Sequence, residues 1–174
     1  MKGKRAVSPL DQDSLRELAL RYVGRFATSR AKLLAYLQRK VQERGWSDEA
    51  PPDAEQLVER LAELRYVDDN GYAVMKGAAL TRRGYGPRRV DESLRAAGIG
   101  ESDRAQAGDQ AMNESWTAAE RFARRKRLGP FASTRPDPAQ REKWIAAFLR
   151  AGHSYAIARR WTDAMPGQVP ERDD

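Results

Sequence analysis

Two arginine-rich segments concentrate the side chains best suited to binding anions. Arg82, Arg83, Arg88 and Arg89 flank the run Gly84-Tyr85-Gly86, and Arg121, Arg124, Arg125 and Lys126 form a second cluster further along the chain. A guanidinium group stays charged at any physiological pH and offers paired N–H donors to phosphate or carboxylate oxygens. An aromatic ring among such groups, here Tyr85, is placed to stack on a base or to pack on a partner. In the second cluster Arg121, Arg124 and Arg125 lie at i, i+3 and i+4, opposite Ala119, Phe122 and Ala123, and Lys126 and Arg127 extend the run. That spacing predicts a cationic stripe on one helix face. Only Glu120 stands at a neutralising distance there, four residues before Arg124. The first cluster has more local acid: Asp91 and Glu92 follow Arg88 at i+3 and i+4, and Asp91 precedes Arg95 at i−4. Both clusters point to binding of a polyanion or an acidic surface.

Catalysis finds little support. With no cysteine, disulfides, thiolate nucleophiles and cysteine-ligated zinc are excluded, and a single histidine, His153, leaves no triad and no multi-histidine metal site. His153 is read as a half-buried spacer at a helix junction. Asp68 and Asp69 are adjacent, so on a forming helix they point in different directions, and helix capping accounts for one of them. Gly84-x-Gly86-x-x-Arg89 lacks the third glycine of the dinucleotide fingerprint and follows a helix. No cofactor or metal is expected. The net charge of +7 favours polyanionic partners, and its distribution is uneven: residues 114–165 hold 11 basic against 5 acidic side chains, whereas residues 68–113 balance at 7 each. The apolar runs are short and interrupted, so no membrane span or secretory segment is predicted, and a cytoplasmic location is expected.

Both clusters are carried on helices. Residues 1–12, poor in apolar side chains, are expected to be a disordered lead-in. Ser14 with Glu17 reads as a capping box for a first helix with an apolar stripe of Leu15, Leu18, Ala19, Tyr22, Val23 and Phe26. Thr28 or Ser29 caps a second, burying Leu33, Leu34, Leu37 and Val41 and ending at Gly45, and a third follows Pro52-Asp53 with Leu57, Val58, Leu61 and Leu64. Asp68 or Asp69 caps a fourth, bearing Tyr72, Met75 and Ala79, which reverses at Gly84-Tyr85-Gly86. Pro87 opens a fifth with Val90, Leu94 and Ala97 inward. Residues 101–112 form a weakly patterned sixth that contains Gly108, a poor helix former. Trp116, Ala119, Phe122 and Ala123 line the seventh; Asp137-Pro138 opens the eighth, with Trp144, Ile145 and Phe148; Ser154 caps the ninth, with Ile157, Trp161 and Ala164. The three tryptophans on these faces are expected in the core. No alternating β-branched run appears, so the chain is predicted all-α.

The nine helices fall into three groups of three: residues 13–67, 68–113 and 114–165, followed by a flexible tail at 166–174. Setting Val90, Leu94 and Gly98-Ile99 over Trp144, Phe148 and Gly152-His153 aligns the second and third groups without a gap, as expected of a repeated unit. The central segment, Tyr66-Val67-Asp68-Asp69, then Arg83-Gly84-Tyr85-Gly86-Pro87-x-Arg89-Val90, Leu94 and Gly98-Ile99, resembles the RecX regulators of the bacterial RecA recombinase. Ala19-Leu20-x-Tyr22 through Leu37 is similar to that family's first unit, and Phe148-Leu149-Arg150-x-Gly152 through Trp161 to its third, so the resemblance spans roughly residues 14–165. The chain departs from the pattern at Asn70-Gly71, in the weak sixth helix, and at His153, where an apolar or aromatic residue is expected.

The resemblance implies three tandem three-helix repeats in an elongated, curved array. It also implies a non-enzymatic negative regulator that binds in the groove of the RecA filament on single-stranded DNA and inhibits ATP hydrolysis, strand exchange and coprotease activity. The chain is expected to act as a monomer. The rival reading is a stand-alone DNA-binding protein that sets basic helices on phosphates. No recognition helix sets Asn, Gln and Arg in the pattern that direct base readout favours, which weighs against sequence-specific binding.

Overall fold

The structure is a computed structural model and describes residues 8–172. Nine α-helices account for most of these residues: α1 (Gln12–Val23), α2 (Arg30–Arg44), α3 (Ala54–Glu63), α4 (Asp69–Arg82), α5 (Pro87–Arg95), α6 (Glu101–Asn113), α7 (Ser115–Lys126), α8 (Pro138–Arg150) and α9 (Tyr155–Asp163), with one 3-10 turn at Gly129–Phe131. Among the described residues there is no strand, only an isolated bridge between Leu10 and Trp46. None of the described helices is long and apolar enough to cross a membrane. The chain is all-α.

It divides into two compact units, one running to Tyr72 and taking in Ala97–Ile99, the other comprising Ala73–Ala96 and Gly100 onward. In the first, Leu15, Leu33, Leu37, Val58 and Leu61 form the core. Asp11, not Ser14, is the N-cap of α1: its carboxylate accepts from the Ser14 N–H at 2.8 Å, while the Ser14 hydroxyl accepts from the Asp11 N–H at 2.9 Å. The capping box therefore lies one turn earlier than Ser14/Glu17. The expected lead-in is corrected in the same region. Residues 1–7 lie outside the described residues, but Leu10 is fully buried, donates its N–H to Gly45 O at 2.9 Å and accepts from Ser47 N–H at 2.9 Å. Burial of this leucine, worth about 1.5–3 kcal/mol, acts together with the two backbone hydrogen bonds to dock the segment.

Two predicted stripe positions of the first unit miss the core. Phe26 lies beyond the end of α1, and Leu64 is the C-cap of α3; both are exposed because the helical period no longer carries them inward. Ser29 caps α2, accepting from Lys32 N–H at 3.3 Å, and donates its hydroxyl to Ala97 O at 2.6 Å. Asp68 accepts from Gly71 N–H at 3.0 Å, whereas buried Asp69 accepts from Arg30 N–H in the first turn of α2, at 2.9 Å. Both aspartates are thus engaged with helix N-termini, where unpaired backbone donors favour negative charge.

In the second unit Phe122, Ile145, Phe148, Ala158 and Trp161 are buried together, with Trp116, Phe131 and Trp144 packed around them. The face that α4 buries there consists of small residues, Ala73, Gly77 and Thr81, and Met75 points outward. A Cβ on Gly77 would stand 3.2 Å from Ala107 Cβ and 3.3 Å from Val90 Cγ1, so the missing side chain lets α5 and α6 approach α4 closely. This explains the weak pattern of α6: it packs with Ala107 and Ala111, and Gly108 does not interrupt it. At the expected tail, Gly167 donates its N–H to Pro130 O at 2.8 Å and Arg160 donates to Glu171 O at 2.5 Å. Residues 173–174 lie outside the described residues.

Candidate polyanion-binding surface

The two basic segments meet in the second unit. α4 ends at Arg82, and the left-handed Gly84, at φ 83°, turns the chain so tightly that a Cβ there would stand 2.8 Å from Phe122 N. Arg83 and Tyr85 are thereby brought against α7. The Arg83 guanidinium lies 5.4 Å from the centroid of the Tyr85 ring, and that of Arg125 lies 5.9 Å from the same centroid. Arg125 also donates to the Arg83 carbonyl. An aromatic face attracts cations at such distances, so Tyr85 arrays guanidinium groups that would otherwise repel one another.

An open depression results, lined by Arg83, Tyr85, Phe122, Arg125, Lys126, Ala147, Arg150 and Ala151. Its floor is apolar and its rim holds four cations and no carboxylate. The sequence places Arg150 only within the family-like run Phe148-Leu149-Arg150-x-Gly152, not among the candidate binding residues. Its helical face, Ala147, Arg150 and Ala151 at i, i+3 and i+4, is legible, but nothing in α8 indicates that this face meets Tyr85. The wider cleft around Trp46 in the first unit is lined by Asp48, Asp53 and Glu55, the wrong charge for phosphates.

The other expected residues lie apart from this depression or are engaged locally. Arg121 pairs with Glu114 at 3.7 Å, an acid one turn beyond the i±4 positions. Arg124 pairs with Glu120 at 2.9 Å and sits 4.4 Å from the Phe131 ring centroid. The predicted stripe is therefore split, with Arg125 and Lys126 in the depression and Arg121 and Arg124 outside it. Arg82, Arg88 and Arg89 are exposed. Glu92 is taken by Arg89, at 3.4 Å, while Asp91 engages Arg95 and Arg104, both at 2.8 Å. Arg88 is anchored through its backbone, donating its N–H to Gly152 O at 3.2 Å.

His153 is fully buried rather than half-buried, with Nε2 3.0 Å from Gly84 O and its ring 5.6 Å from Phe122 and 5.5 Å from Phe148. Burial pushes its pKa down to about 4, while the hydrogen bond to Gly84 pulls the other way. Among the described residues, no group of three or more potential ligands is placed to hold a metal ion.

A protein of Myxococcus xanthus named regulatory protein RecX is 34% identical over 174 residues, a match covering 95% of this chain and 91% of that one. The chain belongs to the RecX family. A second RecX regulatory protein, from Agrobacterium fabrum, is 29% identical over 128 residues, covering 71% of this chain and 68% of its own length. Crystal structures agree on the fold. One of a regulatory protein RecX superposes with a TM-score of 0.66 at 20% identity, over 87% of this chain and 71% of that one, and one of RecX from Lactobacillus salivarius with a TM-score of 0.62 at 18% identity, over 84% and 91%. No protein-family model matches the sequence. RecX is a family of regulatory proteins, not of enzymes.

Proposed function

We propose that this RecX-family chain is a negative regulator of RecA that engages the RecA filament on single-stranded DNA as a monomer in the cytoplasm and lowers ATP hydrolysis, strand exchange and coprotease activity. Its three sets of helices act as tandem repeats, and the surface that meets the filament is the Tyr85 depression. One observation carries this placement: two basic segments far apart in sequence converge on a single ring, with Arg83, Arg125, Lys126 and Arg150 around an apolar floor. Such a surface suits phosphate oxygens or the carboxylates of a filament groove, and with guanidinium groups over Tyr85 it reads charge rather than base identity.

The split of the α7 stripe supplies the test. Replacing Arg125, Lys126 and Arg150 together with alanine weakens binding to RecA filaments. On single-stranded DNA, each lost phosphate contact lowers the magnitude of the log–log salt slope by roughly 0.7. Replacing Arg121 and Arg124, which already hold acidic partners, leaves the slope near the wild-type value. Salt titrations of both variants, with circular dichroism to establish folding, decide the point. A flattened slope in the Arg121/Arg124 variant alone would move the contact surface away from Tyr85.

A further inference from the structure

The turn that presents Arg83 and Tyr85 has an unusual support. Helix ends leave carbonyl groups without intrahelical partners, and two consecutive carbonyls follow α4. Each is taken by a side chain from elsewhere in the same unit: Arg83 O accepts from the Arg125 guanidinium, and Gly84 O stands 3.0 Å from His153 Nε2. The backbone around His153 is locked to the same turn. Gly86 donates its N–H to Ala151 O at 2.8 Å and Arg88 to Gly152 O at 3.2 Å. Gly152 is left-handed at φ 90°, and a Cβ on it would collide with the Arg89 backbone, as one on Gly86 would with Gly152. The two glycine turns therefore interlock, and His153 is the side chain at their junction.

The geometry leaves one tautomer. A carbonyl oxygen accepts but cannot donate, so Nε2 must carry the proton; Nδ1, buried with no hydrogen-bond partner, then holds only a lone pair. The opposite tautomer would set a lone pair against Gly84 O and bury an unpaired N–H, both unfavourable. We infer that His153 is a positioning residue for the basic depression: as the neutral Nε2–H imidazole it donates to Gly84 O and fixes the turn that presents Arg83 and Tyr85. This rests on reading that depression as the binding surface.

Because His153 is the only histidine, its ring nitrogens are observable by 15N NMR without ambiguity of assignment. The expected spectrum at neutral pH shows a protonated Nε2 and an unprotonated Nδ1. His153→Phe keeps a ring in the core but removes the donor, whereas His153→Gln retains an N–H at similar reach. The Phe variant should accelerate hydrogen exchange of the Tyr85 and Gly86 amides by about tenfold, with the α8 amides unchanged. It should also lower the salt slope for a fluorescein-labelled oligo(dT) by roughly 0.7, one phosphate contact. The Gln variant restores both. An Nδ1–H tautomer, or unchanged exchange at Tyr85 and Gly86 in the Phe variant, overturns the positioning role. Salt-independent binding of oligo(dT) by the wild-type protein overturns instead the binding-surface reading, and with it the claim that the turn presents a site, whatever the tautomer.

Discussion

Replacing Phe122 with alanine will destabilise the second unit by about 3–5 kcal/mol, the usual cost of emptying a buried phenylalanine site. The ring is 4% exposed, meets Phe148 edge-on at 4.8 Å between centroids and packs against His153. Its neighbours cannot easily collapse into the space, because Gly84 already lies against the Phe122 backbone and the glycine turns are locked to each other. Urea denaturation measures the loss. Arg121→Ala, an exposed change on the same helix, should stay within about 0.5 kcal/mol of wild type. A loss below about 1 kcal/mol for Phe122→Ala would mean that this core can repack.

The second large effect depends on pH. The ordinary histidine pKa of 6.5 applies to the unfolded chain, and burial lowers the folded value for His153 to about 4. Between those values the unfolded state binds more protons, so stability rises with pH across the window. The contribution is fully present above 6.5 and is lost as the pH falls through about 4. At about 1.4 kcal/mol per pH unit, the interval amounts to roughly 3 kcal/mol. Asp163 is held below the usual carboxylate range by its hydrogen bond from Arg141, and Asp11 by its bond from the Ser14 N–H, so their losses come at lower pH. Comparing wild type with His153→Phe at about pH 7 and about pH 4 isolates the histidine. The wild type should lose roughly 3 kcal/mol more than the variant between the two conditions; equal losses would show that the folded imidazole protonates as readily as the unfolded one.

Local chemistry explains which parts of this structure are legible in the sequence. Ser154 reads as a cap and caps α9, and of the pair Thr28 and Ser29 it is Ser29 that caps α2; Pro52-Asp53 and Asp137-Pro138 mark where α3 and α8 begin, and Asp53 and Asp137 cap them, because a cap is a contact across three residues. Apolar spacing likewise locates Leu33 and Leu37, Val90 and Leu94, and Phe122 in cores. Where a helix packs with small residues, the stripe disappears. The Ala73, Gly77 and Thr81 face of α4 and the Ala107 and Ala111 face of α6 carry no hydrophobic signal, and Met75 supplies a misleading one.

Both basic segments are visible as compositions, yet their meeting at Tyr85 is a tertiary fact. It depends on the Gly84 reversal and on the lock between Gly86 and Gly152, which no spacing rule reports. Arg150 enters the depression for the same reason. Local acids are legible only within a turn or so, which is why Glu120 is found beside Arg124 and Glu114 beside Arg121 is not. His153 shows the limit most plainly. A lone histidine after a helix reads as a spacer until the Gly84 carbonyl is placed against it.

Single-stranded-DNA-dependent ATP hydrolysis by RecA, titrated with this protein, is the decisive measurement of negative regulation. Inhibition is expected at concentrations well below that of RecA, with the Arg125, Lys126 and Arg150 triple alanine variant folded but requiring much more protein for the same effect. Unchanged hydrolysis at equimolar wild-type protein would contradict negative regulation of the filament. Full inhibition by the triple variant would contradict the Tyr85 depression as the surface that exerts it.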